Sequence, residues 1–324
     1  MKAVAYEEGY AATWDQFVRE SRNGTFLFQR PFMEYHKDRF EDASLLFLDE
    51  KGGVRGLLPA NVQSDKGLVQ SHGGLTYGGL VLGADTQATE VGEMMRLLTA
   101  HFLEKGCRAL QYKPTPYIYH DYPSDEDLYW LFRAGAQLES RALSSAILLH
   151  NPLHGDLWHR KIKRRASEGL QLLEDNWERL PEFWNIVCDV LETRHQTKPV
   201  HSAEEIKLLH DRLPAHVKLF TVANERDEII TGAVLFVTRQ TVHVQYMEAG
   251  EEARTRRALD WLIQKLIAHY EQRGMRYFEF GISTERGGLY LNEGLAYQKE
   301  GFGGRGVCYD SYLLDLQQAK EAMG

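Results

Sequence analysis

Two segments of this 324-residue chain, 168 positions apart, align without a gap and limit what the chain can fold into. LLTAHFLEKGCRALQY (97–112) aligns with KLIAHYEQRGMRYFEF (265–280), and five of the sixteen positions are identical. Ordinary residue frequencies would give about one identity over this length. In each copy a helical periodicity ends at a glycine, Gly106 or Gly274, and a short buried strand follows. The chain is therefore expected to contain one structural unit twice.

The segments around these two copies follow the same order. Alternating apolar residues predict strands at 44–49 and 54–63 in the first half, and three consecutive strands between 217 and 248 in the second. A long helix follows each group, at 87–105 and at 255–273.

The fold class follows from this order. A chain of this length suits two domains of about 150 residues each. We predict an α+β (mixed α/β) fold with domains at 1–153 and 154–324, each a mixed, mostly antiparallel sheet flanked by helices. Two further helices, at 178–194 and 202–213, are expected to precede the second sheet.

Composition narrows the class of protein. The net charge of −8 argues against DNA binding, although it permits a local basic patch. The first residues contain no apolar segment typical of a secretory signal, and the longest apolar runs have strand length, so we expect a cytoplasmic protein without membrane insertion. Three cysteines without CxxC spacing and histidine pairs without helical spacing predict neither disulfides nor a metal site.

Four motifs, in this order along the chain, carry a family resemblance: TYGGLVLG (76–83), HRKIKRRASEGLQL (159–172), YFEFGIS (277–283) and LAYQKEGFGG (295–304). The duplicated unit resembles the GNAT acyltransferase fold, and its tandem arrangement resembles the Fem-type aminoacyltransferases and their FemAB-like relatives. The resemblance implies two GNAT-like domains in tandem, with the cleft for the acyl donor in the second.

The resemblance also implies a function. It predicts an N-acyltransferase that moves an acyl group from an activated donor to an amine on a cell-envelope or polysaccharide precursor, without a metal. The donor would be acyl-CoA or another acyl donor, with aminoacyl-tRNA and a peptidoglycan-bridge reaction as the alternative. The acceptor would be a small molecule or a lipid- or nucleotide-linked glycan precursor. A non-catalytic GNAT-like binding scaffold stays open, and so does the oligomeric state.

Three residues are candidates for the chemistry of acyl transfer. Lys299 matches the lysine of the family's closing motif and would assist developing negative charge, unless it is a solvated lysine at the start of a strand. Glu279, an acid on a buried strand, would act as general base or pair with Arg276 or Arg305. Strict alternation puts Tyr246 on one strand face with Val244 and Glu248, and His243, Gln245 and Met247 on the other.

Other residues are candidates for substrate binding. Arg164 and Arg165 belong to a basic run at 160–165, which would grip a phosphate or form a solvated helix. Arg257 lies in EEARTRRALD (251–260), where many GNAT proteins have a glycine motif that holds the CoA pyrophosphate; its absence puts acetyl-CoA use in doubt. The remaining candidates near the same end of the sheet are Glu248, Ser283, Asn292 and Arg305.

The glycine-rich stretch 295–307 is not a nucleotide-binding P-loop, because that loop needs G-x-x-x-x-G-K-[ST] at the start of a helix. We predict instead that its glycines form the bend of a closing hairpin at the rim of the cleft.

Overall fold

The computed structural model describes residues 1–153 and 167–324. The described residues form two compact units. The first unit contains Met1–Leu143, Thr284–Tyr290 and Cys308–Gly324, and the second contains Ser144–Ser283 and Leu291–Val307. The predicted domain boundary at 153/154 borders the segment outside the described residues and stays a prediction.

The chain up to residue 148 supplies four helices and nine strands of the described structure. The helices are α1 (Ala11–Glu20), α2 (Arg30–Met33), α3 (Ala88–Glu104) and α4 (Glu126–Arg133). The strands are β1 (Lys2–Ala5), β2 (Glu41–Asp42), β3 (Leu45–Leu48), β4 (Val54–Leu58), β5 (Asn61–Gln63), β6 (Leu68–Gln70), β7 (Val81–Leu82), β8 (Ala109–Tyr112) and β9 (Gln137–Leu148).

Residues 167–324 supply the remaining elements that the structure describes. The helices are α5 (Leu180–His195), α6 (Ala203–Arg212), α7 (Glu251–Arg256), α8 (Ala258–Gln272), α9 (Glu293–Gly301) and α10 (Leu316–Met323). The strands are β10 (Gln171–Glu174), β11 (Val217–Ala223), β12 (Ile229–Val237), β13 (Thr241–Ala249), β14 (Tyr277–Ile282), β15 (Thr284–Glu285), β16 (Tyr290–Leu291) and β17 (Arg305–Asp315).

The first unit contains a four-stranded sheet, β1-β3-β4-β7, and a second sheet in the order β9-β17-β8-β6-β5-β2. In the second sheet β8 pairs in parallel with β6, whereas the pairs β17–β8, β5–β6 and β2–β5 are antiparallel. Helix α3 packs on this sheet, and its buried Met95 and Leu98 share one apolar core with Leu110 and Tyr112 of β8.

The second unit is built around the strand order β10-β11-β12-β13-β14-β9. Its pairs are antiparallel apart from β13–β14, which is parallel. One face packs on α8, whose Leu262 and Leu266 share a core with Phe278 and Phe280 of β14. Helix α5 covers the opposite face, where a Cβ added to Gly232 would lie 2.8 Å from the Phe183 ring.

The two units repeat the same arrangement, as the sequence alignment predicts. Helices α3 and α8 are each followed by a glycine with positive φ, +82° at Gly106 and +74° at Gly274. A buried strand then pairs in parallel with a strand that precedes the helix, β6 in the first unit and β13 in the second. The predicted mixed α/β fold of two similar units is therefore confirmed.

Three predicted elements differ from the structure. The expected strand at 54–63 is two strands, β4 and β5, which belong to different sheets. The expected single helix at 255–273 is two helices, α7 and α8, because Arg257 adopts a left-handed conformation with φ of +56° between them. The predicted closing hairpin is wrong. Asn292 accepts a hydrogen bond from the Leu295 amide (3.1 Å) and caps helix α9, so the stretch before Gly303 is helical and Lys299 lies in the last turn of that helix.

The conformation of Gly274 gives a stability test. No heavy atom would lie within 4 Å of a Cβ added there, so the penalty for Gly274→Ala is the left-handed backbone alone. We expect the variant to lose about 1–2 kcal/mol of unfolding free energy, measured by urea denaturation. Gly9→Ala is the matched control, since Gly9 has equally open surroundings and no positive φ; an equal loss in both variants would contradict the explanation.

Candidate active site

The site lies where the parallel strands β13 and β14 separate in the second unit. Their pairing runs from Thr241 opposite Tyr277 to His243 opposite Glu279 and stops there. Each strand has an irregularity next to this last pair: β13 shifts register against β12 between Tyr246 and Val244, and β14 shifts against β9 after Glu279. The two strands therefore diverge directly beyond His243 and Glu279.

The irregularity in β13 changes which side chains share a face. Gln245 is an extra residue, since Val234 lies opposite Tyr246 while the next residue, Leu235, lies opposite Val244. Core residues of the α8 face include Val242 and Val244 before the bulge and Ala249 after it. Consequently His243, Tyr246 and Glu248 face away from α8 together. The predicted grouping of Tyr246 and Glu248 with Val244 is wrong, because a bulge breaks the alternation on which it rested.

Glu279 is fully buried and lies on the strand face opposite Phe278 and Phe280. Its carboxylate receives hydrogen bonds from the Ser144 hydroxyl, from His243 Nδ1 and from the Gly281 amide (2.8 Å). Burial acts to raise the pKa of this carboxyl, but His243 and the hydrogen bonds outweigh burial and hold the pKa below its ordinary value. Glu279 is thus held as an anion, and its partner is His243 instead of the expected Arg276 or Arg305.

His243 is a residue of this candidate site that the sequence reasoning did not select. Since a carboxylate can only accept, Nδ1 carries the hydrogen shared with Glu279, and Nε2 is the ring nitrogen that Glu279 leaves unengaged. Nε2 has no hydrogen-bond partner among the described residues, and 14% of the side chain is exposed. The signal in the sequence that could have indicated His243 was the buried acid on β14, because a buried carboxylate requires a hydrogen-bond donor, here from a neighbouring strand.

Lys299 of α9 contacts the end of β14, next to Glu279. Its Nζ donates to the carbonyl oxygens of Gly281 (2.7 Å) and Ile282 (2.8 Å), immediately after Glu279. Burial lowers the pKa of the Lys299 ammonium to about 8, against the opposite effect of the Glu279 charge. Lys299 therefore fixes the backbone where β14 bends away, and one of its three N–H groups has no partner in the described part of the chain.

Tyr246 and Glu248 lie further along β13 on the same face. The Tyr246 hydroxyl accepts a hydrogen bond from the His201 amide (3.2 Å) and lies 2.8 Å from His201 Nδ1, while its ring packs edge-on against Trp184 of α5. A groove of about 620 Å³ lies beside this contact, lined by Trp184 and His201 among others. The Glu248 carboxyl makes no hydrogen bond within 1–153 and 167–324, and burial raises its pKa to about 7.

The predicted binding residues have different surroundings. The Ser283 hydroxyl is buried and has no hydrogen-bond partner among the described residues, whereas Asn292 caps α9. Arg305 is exposed and donates to the Gly304 carbonyl (2.6 Å), and Arg257 pairs with Asp260. Arg164 and Arg165 lie outside the described residues. Their roles in binding stay predictions.

The start of α7 does not fit the pyrophosphate of a CoA donor. The strand leads through Gly250 directly into a first turn that holds Glu251 and Glu252. Glu252 accepts hydrogen bonds from Asn224 (3.1 Å) and Arg226 (3.1 Å), so carboxylates of the chain itself occupy the positive end of the helix. A pyrophosphate bound there would face two negative side chains.

Several solved structures are similar to this chain over nearly its full length. FemX has a TM-score of 0.67 at 11% identity, with 96% of this chain and 97% of that chain covered. L-PGS from Bacillus licheniformis has a TM-score of 0.60 at 13% identity, with 98% and 97% covered. A tandem GNAT protein from the clavulanic acid biosynthesis pathway has a TM-score of 0.55 at 9% identity, with 97% and 98% covered.

These comparisons confirm the resemblance to FemAB-like tandem GNAT proteins at the level of fold. Residues 158–290, which include His243 and Glu279, match the family model "Acetyltransferase (GNAT) domain". Residues 158–290 are therefore similar to a GNAT-type acetyltransferase domain, and the fold is similar to that of tandem GNAT proteins. A search of curated protein sequences gave no significant match.

Two further observations concern metal-binding groups and membrane-spanning helices among the described residues. Across 1–153 and 167–324, no three His, Cys, Asp or Glu side chains come together in a way that could hold a metal ion. In the same residues, no helix combines the length and apolar character needed to cross a membrane.

The Glu279 network predicts a specific acid dependence of stability. Because the folded-state pKa lies below the ordinary value of about 4.5, the network stabilises the fold above that pH and loses this contribution as pH falls through the folded-state pKa. Glu279→Gln should remove this part of the acid dependence, measured as urea midpoints between pH 3 and 7. The exposed-carboxylate control Glu178→Gln should keep the wild-type profile; a parallel change in both variants would refute the assignment.

Proposed function

We propose that this chain is an N-acyltransferase whose chemistry takes place at His243 in the second unit. The observation that carries the proposal is the buried Glu279 carboxylate, which orients His243 through Nδ1 and leaves Nε2 as a base where β13 and β14 separate. In this arrangement Glu279 is a positioning residue, because its oxygens are engaged by the protein and it is fully buried. The predicted role of Glu279 as the base itself is replaced by His243.

The proposed reaction needs one proton acceptor and no covalent enzyme intermediate. The acceptor amine attacks the carbonyl carbon of the activated donor, and the new C–N bond forms as His243 Nε2 takes a proton from nitrogen. The bond from the carbonyl carbon to the oxygen or sulfur of the donor then breaks. The leaving group takes the proton back from His243, so that charge and atoms balance and the enzyme is regenerated.

The diverging strands supply the second requirement, a place for the negative oxygen of the tetrahedral intermediate. Backbone amides that are not paired between strands can donate to such an oxygen without reorganisation. Lys299 supports this by holding the Gly281 and Ile282 carbonyls, and its remaining N–H places a positive charge near the developing one. Lys299 thereby combines a positioning role with the charge-assisting role expected from the sequence.

The acceptor is proposed to be an amine on a cell-envelope or polysaccharide precursor. Support comes from the fold shared with FemX and with L-PGS, and from another structure of this fold that is titled a putative lysylphosphatidylglycerol synthetase C-terminal domain, from Agrobacterium fabrum (TM-score 0.55). The acidic first turn of α7 favours a donor other than the usual acetyl-CoA, and aminoacyl-tRNA is the second candidate donor. Both donors use the same base and the same strand opening.

His243→Gln tests the base. We expect kcat to fall by about 10²–10⁴-fold, because general-base catalysis is lost while the fold is kept. The assay offers acetyl-CoA or a pool of charged tRNA as donor and an extract of envelope precursors as acceptor, with and without ribonuclease. Loss of activity on ribonuclease treatment would identify the aminoacyl donor.

His269→Gln is the matched control for this test, because His269 lies on α8 and packs against Phe220. It should retain wild-type kcat. Full activity of His243→Gln would reject the assigned base, and activity with neither donor in the wild-type chain would favour a binding scaffold over an enzyme.

We expect the titration of Lys299 to set the alkaline limb of the pH profile of kcat/KM. With a pKa of about 8 the ammonium loses its proton as pH rises through that value, so kcat/KM should decline above about pH 8. Lys299→Arg, which keeps the charge, should move this decline to higher pH even if its maximum rate is lower. The same decline in both proteins, measured between pH 6 and 10, would exclude Lys299 as its origin.

A further inference from the structure

The first unit contains a copy of the site with amides in place of the acid–base pair. Residue 111 aligns with residue 279 in the sequence repeat, and Gln111 lies opposite Gln70 in the parallel pair β6–β8. His243 and Glu279 lie opposite each other at the same step of the parallel pair β13–β14. In both units this is the last paired position of the two strands.

The two glutamines belong to a hydrogen-bonded row across the sheet of the first unit, which we call the amide row: Gln63, Gln70, Gln111 and Glu139. Gln63 Nε2 donates to Gln70 Oε1 (2.8 Å), and Gln70 Nε2 donates to Gln111 Oε1 (2.7 Å). Gln111 Nε2 donates to Glu139 Oε2 (2.6 Å), which also accepts from the Ser311 hydroxyl (3.1 Å). The row therefore orients four polar side chains relative to one another.

The amide row lies on the sheet face opposite the core. The neighbouring residues Val69, Leu110 and Tyr112 point into the core formed with α3, so alternation places Gln70 and Gln111 on the other face. The three glutamines are half-buried and Glu139 is exposed. Gln63, Gln70 and Gln111 lie on the neighbouring strands β5, β6 and β8, which are about 4.8 Å apart, whereas Glu139 lies on β9, beyond β17.

The amide row has both hydrogen-bond donors and hydrogen-bond acceptors without partners among the described residues. Gln70 and Gln111 each use one amide N–H in the row and keep a second, and Glu139 keeps Oε1, with no further partners in the described residues. The amides of Gln70 and Gln111 do not exchange protons near neutral pH, so this pair in the first unit holds no base comparable to His243. The chemistry that the row supports is recognition and not catalysis.

We propose that the amide row is a binding site for a saccharide. Vicinal hydroxyls both donate and accept, which matches alternating amide N–H and carboxylate oxygens. The Glu139 charge disfavours an anionic ligand such as a free phosphate. A peptide would be expected to use the backbone of a sheet edge, whereas here the free groups are side chains on a sheet face. This binding site lies within the first unit and is independent of the proposed function.

The experiment measures binding in the absence of any acyl donor. N,N′-diacetylchitobiose is titrated into the full chain, followed by saturation-transfer NMR and calorimetry, with the Ala-Ala-Ala tripeptide as the second probe. We expect the disaccharide to bind, and Gln111→Met to weaken its Kd about tenfold or more by removing a donor and an acceptor. Gln63→Met, at the outer end of the row, should weaken it by a smaller factor.

Gln137→Met is the matched control, because Gln137 lies on β9 and is exposed outside the row, where its amide donates to the Gly135 carbonyl (3.1 Å). It should bind as the wild type does. Failure of the wild type to bind the disaccharide, or equal binding by all variants, would overturn the proposal. Binding of the tripeptide alone would overturn the saccharide assignment. His243→Gln should retain disaccharide binding, so a failed acyltransferase assay leaves this result standing.

Discussion

The buried carboxylate of Glu279 is the interaction on which the site depends. A charge removed from water is tolerated only if the protein replaces the lost hydration, and here three different elements do so. Ser144 comes from β9, His243 from β13, and the Gly281 amide from the turn in β14 itself. The network therefore joins three adjacent strands at the point where the sheet opens, and it fixes the tautomer of His243.

Two irregularities in the strands make this network compatible with an open site. The extra residue at Gln245 returns Tyr246 and Glu248 to the face of His243, and the bend at Gly281, with φ of +77°, turns β14 away from β13. Lys299 holds the carbonyls after that bend. Without these features the parallel pairing would continue and its hydrogen bonds would consume the backbone amides that the site needs.

The sequence predicted the fold better than the site, for reasons that can be traced to particular residues. Hydrophobic periodicity and the terminating glycines Gly106 and Gly274 are local signals, and they were sufficient to predict where α3 and α8 end and that a buried strand follows each of them. The bulge at Gln245 has no local signal, since the alternating pattern of β13 continues through it. Tyr246 and Glu248 were therefore grouped with Val244 and apart from His243, although Glu279, the partner of His243, was correctly predicted to be a buried acid.

The prediction of a hairpin in the glycine-rich stretch 295–307 was wrong for a related reason. Its glycines suggested a bend, whereas Asn292 and the residues after it form a capped helix that brings Lys299 inward. A lysine on a strand start would have been solvated, but on the last turn of α9 it is buried at 7% exposure. The family motif thus identified the residue, while the physical role depended on the helix that carries it.

In the two proposals, one copy of the duplicated fold binds a ligand and the other copy carries out the chemistry. At equivalent positions the second unit has an acid and an imidazole, and the first has two amides joined by a 2.7 Å hydrogen bond. Burying Glu279 requires compensating donors, whereas the Gln70–Gln111 pair is neutral and carries no such cost. At these two equivalent positions the second unit therefore has ionisable groups, whereas the first unit has neutral amides. The amide copy keeps the geometry of the parallel pair without a group that could take a proton from an amine, so a ligand held there would be recognised and left unchanged.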